Sequence, residues 1–403
     1  MTHPYYVPSY RLLINEESIP AALRASITGI SCQNGLKGAD RVEISLVNDN
    51  LRWLDHPLLA LGNQLVLEIG YAPDPMEQVF LGEIVGQDAS FPSGGSPALT
   101  INAQDRLYQL QRGNKVRWFA IPIPSRGNHP IADPAVASLV SVQDGLIPII
   151  DPVGAVIAVL LGGIDVIAAV TDPDEAQRII RRQDGESDYD FLGRIAAENG
   201  WEMYIEHTGE LGGHQLRFQS PLDHLSEDVT LKYGQSLVEF TPRISTVGQI
   251  LSVTGYVWLP AIKQRLTVTV GWDWDRQSLN IQIRPEAATG KGTGGSVHLI
   301  DEPVTLVSAP RKIISELLPR LNERLTGSGS TIGDPRIRAG TVLRLEGLGE
   351  QLGGLYRVTS ATHSIDSGGY RTSFEVRKEI WFGSIPAAQQ GAVPVTGSVA
   401  FAG

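Results

Sequence analysis

The sequence predicts a mainly β protein with α+β insertions, built as two related β-barrel domains plus a small inserted α/β module. Three observations carry this expectation. One hairpin-forming stretch occurs twice. Short alternating apolar runs recur between turns in both halves, in keeping with 43 Gly and 25 Pro. The best-defined helix signature, near the middle, interrupts them.

The repeat is read directly. From Ile84 the chain runs IVGQDASFPSGG, and from Val358 it runs VTSATHSIDSGG. Without a gap Ile84 falls on Val358, Phe91 on Ile365, and Ser93-Gly94-Gly95 on Ser367-Gly368-Gly369. Upstream, Gly62 opens GNQLVLEIGY as Gly340 opens GTVLRLEGLG, with apolar residues alternating at Leu65, Leu67 and Ile69 and at Leu343 and Leu345. The Gly-Gly pair is expected to supply the positive φ of a tight hairpin in each copy.

Taken in order, the first β-barrel domain is placed at 1–110, with strands near Tyr10–Asn15, Ala25–Cys32, Arg41–Val47, Gln64–Tyr71, Gln78–Ser90 and Ala98–Ala103. Residues 111–171 hold a Pro-rich excursion, with Pro122, Pro124, Pro130 and Pro134, followed by a helix–strand unit. The apolar run Leu146–Val170 is broken by Pro148, Asp151, Pro152 and Asp165, whereas a spanning helix needs ~20 consecutive apolar residues, so no membrane span is expected. Residues 172–228 form the inserted α/β module. Its helix, 187–199, starts at Ser187 with Asp190 three residues on and stops at Asn199-Gly200, with Phe191, Leu192, Ile195 and Ala196 on one face. A hairpin of Trp201–Ile205 and Gln215–Gln219 completes it. The second β-barrel domain is placed at 229–382 and includes an exposed flexible loop at 290–295, a helix after Ser308, and a Gly/Ser stretch, TGSGS at 326–330, that returns the chain to the repeat copy at Gly340. The tail, 383–403, has no periodicity of its own and no obvious partner strand in the chain.

Composition narrows the function. A formal charge of −11 argues against a general nucleic-acid binder, which needs a basic face for phosphates. The single cysteine, Cys32, excludes an internal disulfide and fits folding in a reducing cytoplasm as a buried hydrophobe. The N-terminus, MTHPYYVPSY, shows no signal-peptide pattern.

No catalytic constellation emerges, and no cofactor or metal site is expected. Asp188, Asp190 and Glu198 are placed as helix-cap and solvent-facing acids, because negative charge in a first turn suits the helix dipole. The eight histidines never pair at helical spacing, and His207 and His214 merely flank a hairpin loop. GKGTGGS at 290–296 lacks the phosphate-loop pattern. Trp272 and Trp274 alternate like a strand face, suited to a core or subunit interface more than to sugar stacking.

Four blocks resemble a known family. They are VFLGEIVGQDASF (79–91) with LTINAQD (99–105), RIIRRQDGESDYDFLGRIAAENGWEMY (178–204), FTPRISTVGQILSVTGYVW (240–258), and the closing block 333–379 with its G-x-Y-x-V, His363 and G-Y-x-T-x-F. Together they resemble the late control protein D family, the hub proteins of contractile phage tails and the hub part of VgrG-type spike proteins. The resemblance spans about Tyr10 to Trp381. It implies a homotrimer whose two barrels per chain make a ring of six similar units. Such a ring joins a six-fold inner tube protein to a separate three-fold spike protein, beside other baseplate proteins. It implies no catalysis, and a product made in the cytoplasm and built into a tail or injection particle. The tail would then meet the spike through Val393, Val395, Val399 and Phe401. The competing expectations are a β-rich cell-wall glycosidase, which needs two carboxylates ~5–10 Å apart, and a carbohydrate-binding protein using the tryptophans.

Overall fold

The computed structural model describes residues 7–119, 165–168, 181–198, 201–207, 215–219, 221, 224–244, 252–259, 264–273, 278–285, 297–304, 322, 324–379 and 395–399. The strands of the first half are β1 (Val7–Ile14), β2 (Glu17–Ser18), β3 (Ile27–Gly35), β4 (Arg41–Val47), β5 (Gln64–Ala72), β6 (Glu77–Ser90) and β7 (Ala98–Gln104). Then come β8 (Lys115–Phe119), β9 (Asp165–Ala168), β10 (Arg181–Glu186), β11 (Glu202–Glu206) and β12 (Gln215–Gln219). Next are β13 (Val229–Lys232), β14 (Leu237–Ile244), β15 (Ser252–Leu259), β16 (Gln264–Asp273), β17 (Ser278–Pro285) and β18 (Val297–Val304). The last are β19 (Leu325–Ile332), β20 (Val342–Glu346), β21 (Gly354–Asp366), β22 (Gly369–Arg377) and β23 (Val395–Val399). The chain is mainly β, and its described helices are few and short.

The two halves use the same strand order. Hydrogen bonding runs β3-β4-β7-β6-β5-β1 in the first and β14-β19-β22-β21-β20-β13 in the second. They are continuous through one junction, where Ser360–Ile365 of β21 pairs antiparallel with Ile30–Gly35 of β3. Each half has its own core. Leu65, Leu67, Ile69, Phe80 and Ile101 belong to one, and Leu343, Leu345, Tyr356, Phe374 and Val376 to the other. Alternation at period two puts these residues on the inner face of every strand.

The repeat extends to individual hydrogen bonds. Gly62 N–H donates to Ile84 O at 2.8 Å and Ile84 N–H to Asn63 O at 2.9 Å. In the second half Gly340 N–H donates to Val358 O and Val358 N–H to Thr341 O, both at 2.9 Å. Gly62 and Gly340 reach this turn with φ of +88° and +85°, a region that L side chains rarely adopt. β-Bulges match as well. The register shifts at Ile84/Gly86 and at Val358/Ser360, and again at Ile27/Gly29 and at Leu237/Glu239. Bulges bend strands at fixed positions, so two matched pairs give both halves the same curvature. One matched ion pair is reversed in sign: Glu83 with Arg106 in the first half answers Arg357 with Glu379 in the second.

The structure corrects two expectations here. The SGG turns differ: Asp366 pairs with Gly369 across a two-residue connection, whereas Ser90 pairs with Ala98 across a seven-residue loop. Of the four glycines in the two pairs only Gly369 has positive φ. The TGSGS stretch lies within strand β19. A Cβ on Gly327 would stand 2.7 Å from the Phe240 ring, and one on Gly329 the same distance from Phe374. Glycine here makes room for aromatic rings lying across the strand. Second, the chain does offer its tail a partner: β23 adds in parallel to β17, with Leu279 opposite Val395 and Ile283 opposite Val399. It completes the five-stranded sheet β18-β15-β16-β17-β23. The helices expected near Val153–Leu161 and after Ser308 lie outside the described residues, as do the loop 290–296 and most of 111–152.

The helix near the middle spans Asp188–Glu198. Ser187 caps it: Asp190 N–H donates to Ser187 Oγ at 3.0 Å, and Ser187 O–H donates back to the Asp190 carboxylate at 2.6 Å. Phe191, Leu192 and Ala196 are buried against Leu107, Leu110, Met203, Ile205 and Leu216. The expected hairpin is present as β11–β12, and β9 extends it in parallel.

Candidate functional site

The helix–hairpin module sits where the two halves meet, and two buried polar networks hold it there. The first begins at the β3–β4 connection. Asp40 Oδ1 accepts from Gly35 N–H at 3.0 Å, and Asp40 N–H donates to Asp105 Oδ2 at 3.0 Å. Asp105 Oδ1 accepts from Leu107 N–H at 2.8 Å, which starts the short helix after β7. Just after β11 comes His207. Its Nδ1 accepts from Leu81 N–H at 3.1 Å, so its proton is on Nε2, and Nε2–H donates to Asp40 Oδ2 at 2.9 Å. Gln78 reaches back to His207 O at 2.6 Å.

All three side chains are buried. Burial raises the pKa of Asp40, an effect that the His207 and Gly35 hydrogen bonds oppose. Burial, followed by the charge of Asp40, raises that of Asp105 well above the usual carboxylate range. The donor atoms of Asp40, Asp105 and His207 lie within 4.8 Å of one another, a set that could hold a divalent ion. Both oxygens of each carboxylate and both nitrogens of the imidazole are already engaged by protein groups. The arrangement is therefore a clasp between strands.

The second network centres on Arg357, which is 0% exposed. Its Nε donates to Glu379 at 2.8 Å, and its terminal nitrogens donate to Gly340 O at 3.0 Å, Pro221 O at 2.5 Å and His224 O at 2.7 Å. Arg377 bridges Glu379, at 2.9 Å, and Glu202 of β11. Burial raises the pKa of Glu202, and Arg377 counters it.

Between the networks lies a polar cleft of about 540 Å³, lined among others by Tyr204, Arg217, Asp228, Arg336 and Arg338. Its charges are paired within the protein: Arg217 with Glu206, Arg336 with Asp334 at 2.6 Å, and His224 with Asp228 at 2.8 Å. Burial works to raise the Asp228 pKa, but hydrogen bonds from His224 and Val342 N–H hold it below the usual range. No nucleophile–base pair is set up on this wall among the described residues.

The sequence candidates fall as follows. Asp190 is exposed on its cap, as expected. Asp188 is a correction: it is buried, paired with Lys115 and bonded by Gln183 Nε2 at 2.9 Å, because β8 and β10 close over the helix start. Asp188 and Asp190 therefore point to different partners and form no acid pair. Val395 and Val399 lie on β23, whereas Val393, Phe401 and Trp274 are outside the described residues. Sequence reasoning missed Asp40, Asp105, Arg357 and Glu379. Three of them did lie in the quoted blocks: Asp105 ends LTINAQD, Arg357 falls inside G-x-Y-x-V and Glu379 ends the closing block.

His363, part of the closing motif, is fully buried on β21 opposite Cys32, with Tyr370 Oη 2.8 Å and Thr372 Oγ1 3.1 Å from its Nδ1. Burial, helped by the charge of Arg338, lowers its pKa from 6.5 to about 4. The unfolded chain binds this proton more readily, so the stabilisation is complete above about pH 6.5. It is lost as pH falls toward about 4, amounting to roughly 3 kcal/mol. Urea unfolding between pH 7 and 4.5 should show that slope, and His363→Gln should flatten it. An unchanged slope in the variant would remove His363 as its source.

Residues 155–367, just over half of the chain, match the family model described as the Alg8 N-terminal domain. The chain belongs to the Alg8 N-terminal domain family. No curated protein matches its sequence. The fold of this Alg8 N-terminal domain family member is similar to solved structures over nearly its whole length. The 43 kDa tail protein of prophage MuSo2 from Shewanella oneidensis superposes with a TM-score of 0.59 at 16% identity, covering 92% of this chain and 98% of that one. The tail protein from Neisseria meningitidis MC58 gives 0.58 at 12% identity, covering 94% and 99%. The c3393 protein of E. coli, a type VI secretion component similar to the T4 bacteriophage tail proteins gp27 and gp5, gives 0.56 at 12% identity, covering 94% and 79%. The Alg8 N-terminal domain family member thus has the fold of phage tail proteins and of a secretion-system relative. Among its described residues no helix is long and apolar enough to cross a membrane.

Proposed function

We propose that the chain is a structural tail-hub or baseplate protein, of the late control protein D type, in a phage tail or contractile injection system. In this reading residues 1–110 and 229–382 are the two ring domains and 172–228 is the joint between them. The observation that carries it is the internal duplication, matched down to its turn hydrogen bonds and bulges. Three copies of such a chain present six near-equivalent units, which suits a part that meets a six-fold inner tube on one side and a three-fold spike on the other. The similarity of fold to tail proteins supports the same role. Among the described residues the charged groups of the cleft are paired within the protein. The tail, with Val393, Val395, Val399 and Phe401, is the proposed spike contact, and other baseplate proteins complete the surroundings.

The deciding experiment is the solution mass of the purified chain with and without an inner tube protein, together with electron-microscope images. A ring of three copies that caps the tube is expected. A monomer that ignores the tube would overturn this reading; if it hydrolyses cell-wall glycan the enzymatic reading takes its place, and if it binds sugar the carbohydrate-binding one does.

A further inference from the structure

The junction inside the chain is a template for a contact between chains. At that junction β21 lies against β3. By the matched bulges and turns, β3 corresponds to β14, with Ile30, Cys32 and Asn34 answering Phe240, Pro242 and Ile244. Likewise Ser360–Ile365 of β21 answers 86–91 in and just beyond β6. Both counterparts have an open edge. Among the described residues β14 pairs only with β19, and Gly86–Ser90 pairs only with β7.

Burial tells the same story. Where the junction exists, Asn34 is 4% exposed, His363 is buried and Ile365 is half-buried. At the matching open positions Ile244 is 47% exposed and Phe91 is 60% exposed, while Ala89 is also exposed. These matched positions are more enclosed at the junction than at the open edges, where Phe240, Pro242 and Gln87, which answer buried Ile30, Cys32 and Ala361, are half-buried. The exposed apolar residues are those that a missing neighbouring strand would cover.

We infer that β14 of one copy takes the β6 segment 87–91 of a second copy, antiparallel, in the register of the internal junction. Transferring that register sets Phe91 opposite Phe240, Ser90 opposite Thr241, Ala89 opposite Pro242, Asp88 opposite Arg243 and Gln87 opposite Ile244. The transferred pairs are complementary: an acid meets a base, and two aromatic rings meet. Cross-strand pairs of both kinds stabilise sheets. Pro242 lacks an N–H, so the ladder forms with one donor fewer, and the same residue keeps the edge from pairing with arbitrary strands. The contact joins unlike surfaces head to tail, which makes a closed ring when the rotation allows. For the ring's size, three copies, the inference rests on the hub reading.

Cysteine pairs test it, since Cys32 is buried and out of the way. Ser90→Cys with Thr241→Cys, and separately Ala89→Cys with Pro242→Cys, sample neighbouring positions of opposite pairing geometry. Oxidation of at least one double variant should give covalent multimers ending at three chains. Ser90→Cys with Glu239→Cys, two residues out of register, should stay uncrosslinked. Reversal by Asp88→Arg or by Arg243→Asp should weaken self-association about tenfold, and combining the two should restore it. A ring of three copies that crosslinks in neither register would overturn this interface while leaving the hub reading standing. A protein that is monomeric at all concentrations and with tube protein would remove the hub reading itself. If only the out-of-register pair crosslinks, the duplication has been transferred wrongly and the inference falls.

Discussion

Replacing Arg357 with leucine should cost about 3–5 kcal/mol, because it breaks a buried ion pair and leaves the remaining charge and acceptors without compensation. The loss is spread over three parts of the fold. Glu379 keeps Arg377 but loses its 2.8 Å partner, and the carbonyls of Gly340, Pro221 and His224 lose their donor together. Arg357→Leu combined with Glu379→Leu should recover part of that cost, since an apolar pair of adequate volume needs no charge balance. Chemical denaturation of the two variants separates these outcomes. A single variant within about 1 kcal/mol of the parent would show that the network does not carry the module.

Phe191→Ala should cost a similar ~3–5 kcal/mol, the range for removing a large aromatic side chain from a packed core. Phe191 is buried among residues from β11, β12 and the short helix after β7, so the cavity would open between elements that have little else to fill it. A drop confined to the module should appear as faster proteolysis within 181–219, with the two β halves intact. Equal loss of protection in both halves would mean that the module and the sheets unfold as one unit.

The legible parts of the sequence were those with local causes. Period-two alternation placed β4 at Arg41–Val47, and Ser187 with Asp190 marked the start of its helix, because strand faces and caps are settled within a few residues. The duplication was visible because its turn at Gly62 and Gly340 requires the same backbone in both copies. The clasp was not visible. Asp40 and His207 are separated by 167 positions, and nothing near either residue records the other. Asp188 looked like an ordinary first-turn acid because the lysine that covers it comes from β8, far upstream. The role of the TGSGS glycines was hidden for a related reason: they answer to Phe240 and Phe374, which reach them from neighbouring strands.

The pairing of β3 with β21 also sets a timetable for the ribosome. The strand at Ile27–Gly35 is made early, yet the strand that covers its edge follows more than 300 residues later. At roughly 5–20 residues per second, the interval is about 15–65 s. Throughout it the nascent first half can fold its own core while Ile30 and Cys32 wait beside an unpaired ladder. Neighbouring ribosomes on one message would hold many such edges close together. Slowed synthesis of the last hundred residues should therefore raise the insoluble fraction, and early binding of a chaperone to this edge should lower it.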